Sequence, residues 1–177
     1  MPSRRKPSRL SGYDYTLPRA YFVTICSHNR RYIFGSVSEG VFIPNQIGQI
    51  VQTEWQRSEI IRLELIIDSW VLMPNHLHGI VWILADHNHV GATGRSPLRK
   101  DNNISGPPKK SLGSFIAGFK AASTSAIHQK VGPISHPIWQ RNYYDHIIRN
   151  ERDLEHHRRY ILENPLSWEL DQYFNTE

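Results

Sequence analysis

The sequence predicts an α+β fold, an antiparallel sheet with helices on one face, on three observations. Short β-branched and aromatic runs alternate with amphipathic stretches. Two of those runs, 63–73 and 77–84, flank a tight Pro-Asn-His turn and form a hairpin. The elements follow in the order strand, helix, strand, strand, helix, strand, helix. The first six match the split βαβ arrangement of ferredoxin-like folds, and the seventh is an added C-terminal helix. Such a sheet leaves its second face free to bind something.

Each element has a local reason. "AYFVTICS" (20–27) is β-branched and aromatic, a strand, and "HNRRYIFG" after it is a polar turn with a short extension. In 45–61, Ile47, Ile50, Val51, Trp55 and Ile61 recur at helical spacing, and Asn45 is placed to cap the helix. The segment "LELIIDSWVLM" and the returning "LHGIVWIL" are the hairpin strands. Residues 85–109 are rich in Gly, Pro, Asn and charge and read as a long flexible loop within the domain. In 111–131, Leu112, Phe115, Ile116, Phe119, Ala122 and Ile127 form one apolar stripe behind a Ser111 cap. Residues 137–150 hold a short strand or extended segment. The last helix, 151–164, opens on Asn150 and acidic residues and closes at Pro165. The tail beyond it is aromatic but short.

At 177 residues the chain suits one domain, 20–177, behind a basic N-terminal arm, 1–19. No run approaches the roughly 18–20 apolar residues of a membrane span. The basic start lacks the apolar core of a signal peptide, so the expected compartment is the cytoplasm, with no membrane partner. A single cysteine, Cys26, excludes an internal disulfide framework and a Cys-rich zinc site. The net charge of +5 favours polyanions, nucleic acid first among them. Arginines cluster at Arg4 and Arg5, Arg30 and Arg31, Arg149 and Arg152, and Arg158 and Arg159. Guanidinium forks suit phosphates better than ammonium groups do.

Chemistry concentrates in "SWVLMPNHLHGIVWI" (69–83). Side chains two apart on a strand share a face. His76 and His78 therefore project together, as two ligands for one divalent ion or as a hydrogen-bonded pair. The chain has ten histidines, so chance pairs are common. His87 and His89, in the Gly/Pro-rich loop, are read as such a pair. On the last helix Tyr160 and Asn164 are one turn apart on one face. Spacing alone favours Tyr160 as a core residue and allows Asn164 to be a helix terminator. Beside a metal-bound phosphate, the tyrosine would instead be an activated nucleophile. His156 and His157 precede it on a basic face.

These blocks together resemble a known family. "WVLMPNHLHGIVWI" looks like the HUH motif (His, hydrophobic, His) of single-tyrosine transposases of the insertion-sequence-200 type. "FVTICSHNRRYIF", "GSFIAGFKAASTSAI" and "IWQRNYYDHIIRNERDLEHHRRYILENP" are similar to blocks of the REP-associated tyrosine transposases, in the family's order. The resemblance runs from residue 21 to residue 165. It implies that His76 and His78 are metal ligands, that Tyr160 in "RRYILENP" is the nucleophile, and that Asn164 is the third ligand. Tyr143 and Tyr144 lie in the strand-and-loop block before the helix that carries the family's tyrosine.

The resemblance further implies cleavage and rejoining of single-stranded DNA at hairpin palindromes, with Mg²⁺ or Mn²⁺, through a 5′-phosphotyrosine. Arg30, Arg31, Lys120, Arg141, Arg149 and Arg152 are candidate DNA-backbone contacts. Trp139, Tyr143 and Tyr144 are candidates for base stacking. The expected oligomeric state is a monomer. The alternatives are a hairpin-binding module on the same fold that does not cut, and a hydrolase using a metal-bound water.

Overall fold

The computed structural model describes residues 13–85 and 107–174. Most of the expected arm and loop, and the His87–His89 pair, lie outside the described residues. The elements are β1 (Ala20–Cys26), β2 (Gly35–Ser38), β3 (Val41–Pro44), α1 (Gln46–Ile61), β4 (Leu65–Leu72), β5 (His76–Ile83), α2 (Leu112–Val131), β6 (Tyr144–Ile147) and α3 (Glu151–Glu163). Four strands form an antiparallel sheet in the order β4-β5-β1-β6, and β2 and β3 form a separate hairpin. With α1 and α2 as the crossovers, this is the ferredoxin-like order that the sequence predicts.

Alternation along the strands sorts the molecule into two cores. On β1, Tyr21, Val23 and Ile25 turn toward α1 and α2, where they join Trp55, Phe115 and Phe119. Ala20 and Phe22 turn the other way and join Ile80 on β5 and Leu154 and Ile161 on α3. The second face is therefore not free, as the sequence reading expected; α3 lies across it. Tyr13 and Tyr15, from the end of the expected arm, pack against the first core.

The helix starts are where the sequence puts them. The Asn45 side chain accepts from Gly48 N at 3.0 Å, and the Asn150 side chain accepts from Asp153 N at 2.9 Å. Ser111 and Ser114 form a reciprocal capping box. Each cap satisfies backbone donors that a helix leaves open, worth about 1 kcal/mol. The β2–β3 hairpin was not anticipated. It turns at Glu39 (φ 52°) and Gly40 (φ 72°), two successive left-handed residues as a tight two-residue turn demands.

Gly79 lets α1 approach the histidine strand. A Cβ there would lie 2.6 Å from Trp55 Cζ2. Trp55 cannot yield, because it is fully buried against Phe115 and Phe119. We expect Gly79→Ala to lower stability by about 1–3 kcal/mol, the cost of an overpacked core. Urea unfolding measures it, and an unchanged midpoint would mean that the Trp55 contact is not confining.

Candidate active site

β5 begins at His76, so the turn is confined to 73–75, with Met73 N donating to His76 O at 2.8 Å. His76 and His78 point away from Trp55, toward α3, with ring centroids 4.4 Å apart. Both are buried, at 0% and 1% exposure. Their neighbours fix their orientation. Asn75 Nδ2 donates to Arg30 O at 3.1 Å and to Tyr173 O at 2.7 Å. Asn75 Oδ1 must then face His76 Nδ1, 2.8 Å away, as the acceptor. The proton of His76 is thereby placed on Nδ1 and the lone pair on Nε2. His78 Nδ1 lies 2.8 Å from Thr24 Oγ1, its register partner on β1. That contact leaves Nε2 of His78 facing the Tyr160 hydroxyl at 3.3 Å.

α3 is seated by apolar and ionic contacts. Leu154 and Ile161 fill the second core, and Phe22 lies between the His157 and Tyr160 rings at 4.6 and 5.9 Å. Arg158 grips Asp68 with two bonds, Nε at 2.9 Å and Nη2 at 2.7 Å. Asp68 sits at a register shift between Ile67 and Trp70, a bulge in β4, where it also accepts from Trp82 Nε1. The guanidinium beside it holds the Asp68 carboxyl below the usual carboxylate range. A helix so placed brings Tyr160 and Asn164 over the histidines. Asn164 keeps helical angles despite Pro165 and is buried.

The segment after α3 completes the site, and sequence reasoning missed it. A short 3₁₀ turn, Trp168–Leu170, sends the chain back across the sheet. Asp171 Oδ2 accepts from Asn164 Nδ2 at 2.7 Å and from the Tyr160 hydroxyl at 3.2 Å. The Tyr173 ring covers His76 at 4.7 Å and His78 at 5.8 Å and carries the Arg30 guanidinium at 5.0 Å. This segment buries His76, and His78 lies at the floor of a cleft bordered by Tyr160 and Tyr173. The one cue in the sequence was an acidic residue, Asp171, seven positions beyond Asn164.

The chemistry of the donors fits a divalent cation. Asp171, His76 and His78 each bring a ligand atom within 4.8 Å of the others. His76 Nε2 and Asn164 Oδ1 are buried without a hydrogen-bond partner among the described residues. Such atoms are rare unless something binds them. Two imidazoles with amide and carboxylate oxygens are a donor set for a borderline divalent ion. Burial pushes the Tyr160 hydroxyl above its ordinary pKa, and the Asp171 charge adds to the effect. A cation at the histidines would act in the opposite direction.

The predicted DNA contacts are scattered. Arg30, Arg31, Arg141, Arg149 and Arg152 are all exposed. Arg30 borders the site through Tyr173 and reaches Gln172 O at 3.4 Å. Arg149 and Arg152 flank the start of α3. The Lys120 ammonium donates to the carbonyls of Gln140, Arg141 and Asn142, so a phosphate would compete with a loop that it already braces. Trp139 and Tyr143 are buried in the first core and are not open to bases. Tyr144, 49% exposed, lines a cleft of about 350 Å³ together with His78, Tyr160 and Tyr173.

Comparison with known proteins places this arrangement among relatives. No family model matches the sequence. An uncharacterized protein of Haemophilus influenzae is 34% identical over 174 residues, covering 96% of this chain and 93% of the relative. The REP-associated tyrosine transposase of Escherichia coli is 28% identical over 148 residues, covering 79% and 73%. Among solved structures, a REP-associated tyrosine transposase bound to a REP hairpin matches with a TM-score of 0.57 at 24% identity. That match covers 90% of this chain and 74% of the other. Among the described residues no helix is long and apolar enough to cross a membrane.

Burial gives the site a measurable pH dependence when no metal is present. It holds His76 down to about 3 from an ordinary 6.5 and holds His78 well below that ordinary value. Between these limits the unfolded chain binds protons that the folded protein refuses, so stability falls as pH drops below about 6.5. We expect a slope of up to about 1.4 kcal/mol per pH unit from each histidine in chelator-treated protein. Urea unfolding between pH 7 and 4 measures it. His76→Asn should flatten the dependence, and a wild-type profile that stays flat to pH 4 would contradict the burial.

Proposed function

We propose that this chain, 28% identical to the REP-associated tyrosine transposase of Escherichia coli and sharing its family's fold, is a member of that family that cleaves and rejoins single-stranded DNA at hairpin palindromes, with Tyr160 as the nucleophile. One observation carries the reading. A strand and a helix some eighty residues apart in sequence bring two buried imidazoles, a buried amide and a tyrosine hydroxyl to one point. Two of those groups have buried acceptor atoms with no donor among the described residues.

His76, His78 and Asn164 would hold the cation, with Asp171 close enough to join them. Mg²⁺ or Mn²⁺ there would supply charge stabilisation on the scissile phosphate. Thr24 and Asn75 keep the imidazoles aimed, and the Asp68–Arg158 pair keeps α3 at its distance from β5. The Tyr160 hydroxyl oxygen forms the bond to phosphorus, and the bond to the 3′ oxygen breaks in line with it. The phenolic proton ends on that leaving oxygen, giving a 5′-phosphotyrosine and a free 3′-OH. One phosphodiester is exchanged for another, so rejoining is the reverse step and needs no nucleotide cofactor. Arg30 borders the site and Arg149 and Arg152 flank the start of α3, and they would hold the strand's backbone. Tyr144 would stack on an unpaired base. The catalytic unit is residues 20–177, acting as a monomer.

A second reading, hairpin binding without cleavage, is favoured by the closed tail. With Tyr173 over both histidines and the Tyr160 hydroxyl bonded to Asp171, the metal ligands are covered and the hydroxyl proton is held by a carboxylate.

A hairpin-bearing oligonucleotide labelled at its 3′ end, on the fragment that the tyrosine would retain, incubated with Mn²⁺, separates these readings. We expect a denaturant-resistant protein–DNA adduct that Tyr160→Phe abolishes. Binding without an adduct would support the second reading, and cleavage surviving Tyr160→Phe would point to a metal-bound water. His76→Ala and His78→Ala should abolish the adduct while leaving hairpin affinity within about threefold, because phosphate contacts dominate affinity. Filter binding measures this, and an affinity loss as large as the loss of cleavage would contradict the division of roles.

A further inference from the structure

A second group of metal-ligand side chains lies outside the site described above, where β6 meets the first turns of α3. His146 on β6 and Asp153 and His157 on α3 bring ligand atoms within 4.8 Å of one another. His146 Nε2 is 2.9 and 3.1 Å from the two carboxylate oxygens of Asp153. His157 Nδ1 is 3.2 Å from the same carboxylate. We propose that His146, Asp153 and His157 form a second cation site, one that takes a borderline transition ion such as Zn²⁺ and ties β6 to the helix that carries Tyr160.

The spacing suits an ion. Asp153 and His157 are four apart and share one helix face, and His146 approaches that face from a neighbouring element. Two imidazoles and one carboxylate with an open side form a recognised zinc donor set, the remaining position going to water. The three side chains are 35%, 21% and 15% exposed, so the ion has a path in. A supporting bond is already made. Arg149 N donates to Asp153 Oδ2 at 3.1 Å, and His157 Nδ1, the ring nitrogen beside the carboxylate, lies 2.8 Å from Asp153 O, a bond the ion would replace as the ring proton moves to Nε2. The His146 and His157 rings stack at 4.7 Å and 23°. On binding, the ion takes the His146 Nε2 lone pair, and the proton shared there with Asp153 moves to Nδ1 of the same ring by exchange with solvent, so the imidazole stays neutral. The inference does not rest on the proposed transposase chemistry.

Zinc equivalents bound per chain are counted by chelator competition on the full-length protein. Histidines elsewhere also bind zinc, so the informative quantity is the difference between variants. We expect His146→Gln to bind one equivalent fewer than wild type and to lose part of the zinc-dependent rise in melting temperature. Asp153→Asn retains an oxygen for the Arg149 bond and serves as the second variant, with the same expected loss. Equal stoichiometry in wild type and both folded variants would overturn the site and leave a hydrogen-bonded clamp. His78→Asn should lose a different equivalent while keeping this one, and a shared loss in both sets would also contradict a separate site.

Discussion

Burying an imidazole without a partner costs about 1–3 kcal/mol, and β5 buries two on one face. The rest of the molecule is arranged around that cost. Strand alternation hands Leu77, Gly79 and Val81 to the α1 and α2 side and the two histidines to the other. Register with β1 then brings Thr24 opposite His78. The turn before β5 brings Asn75, whose amide is held by two carbonyls and so presents only its oxygen to His76. Each Nδ1 is satisfied, and among the described residues His76 Nε2 has no hydrogen-bond partner.

α3 is the second half of the arrangement, and its position depends on a local defect in β4. The register shift between Ile67 and Trp70 puts Asp68 where both nitrogens of the Arg158 fork can reach it. Arg158 is two residues from Tyr160, so that pair, with Leu154 and Ile161 beneath the helix, sets how far the hydroxyl stands from His78. Asn164 follows one turn later, and Asp171 connects it to Tyr160 through a single oxygen. A basic surface supplies attraction for a polyanion without specifying the site.

Much of this was legible before any coordinates. The shared face of His76 and His78 follows from a period of two, and the shared face of Tyr160 and Asn164 from a period of 3.6. Asn45, Ser111 and Asn150 announced their helices because side-chain caps are local interactions. What failed was non-local or unpatterned. The β2–β3 hairpin turns at Glu39-Gly40, a pair with a weaker turn signal than Asn-Gly. Residues 168–174 have no periodicity, and their contacts with Asn75, His76 and Arg30 exist only in three dimensions. The same holds for α3 lying on the face expected to be open: an amphipathic stripe says that a helix packs, not on which side.

The central claim is that His76, His78, Asn164 and Tyr160 form one metal-and-nucleophile centre. Anomalous diffraction from crystals grown with Mn²⁺ tests it most directly. The account predicts a peak bonded to an imidazole nitrogen of both His76 and His78 and to Asn164 Oδ1, with the Tyr160 hydroxyl beside it. A fully occupied manganese elsewhere, with His76 and His78 still buried beneath Tyr173 and no density between them, would contradict it.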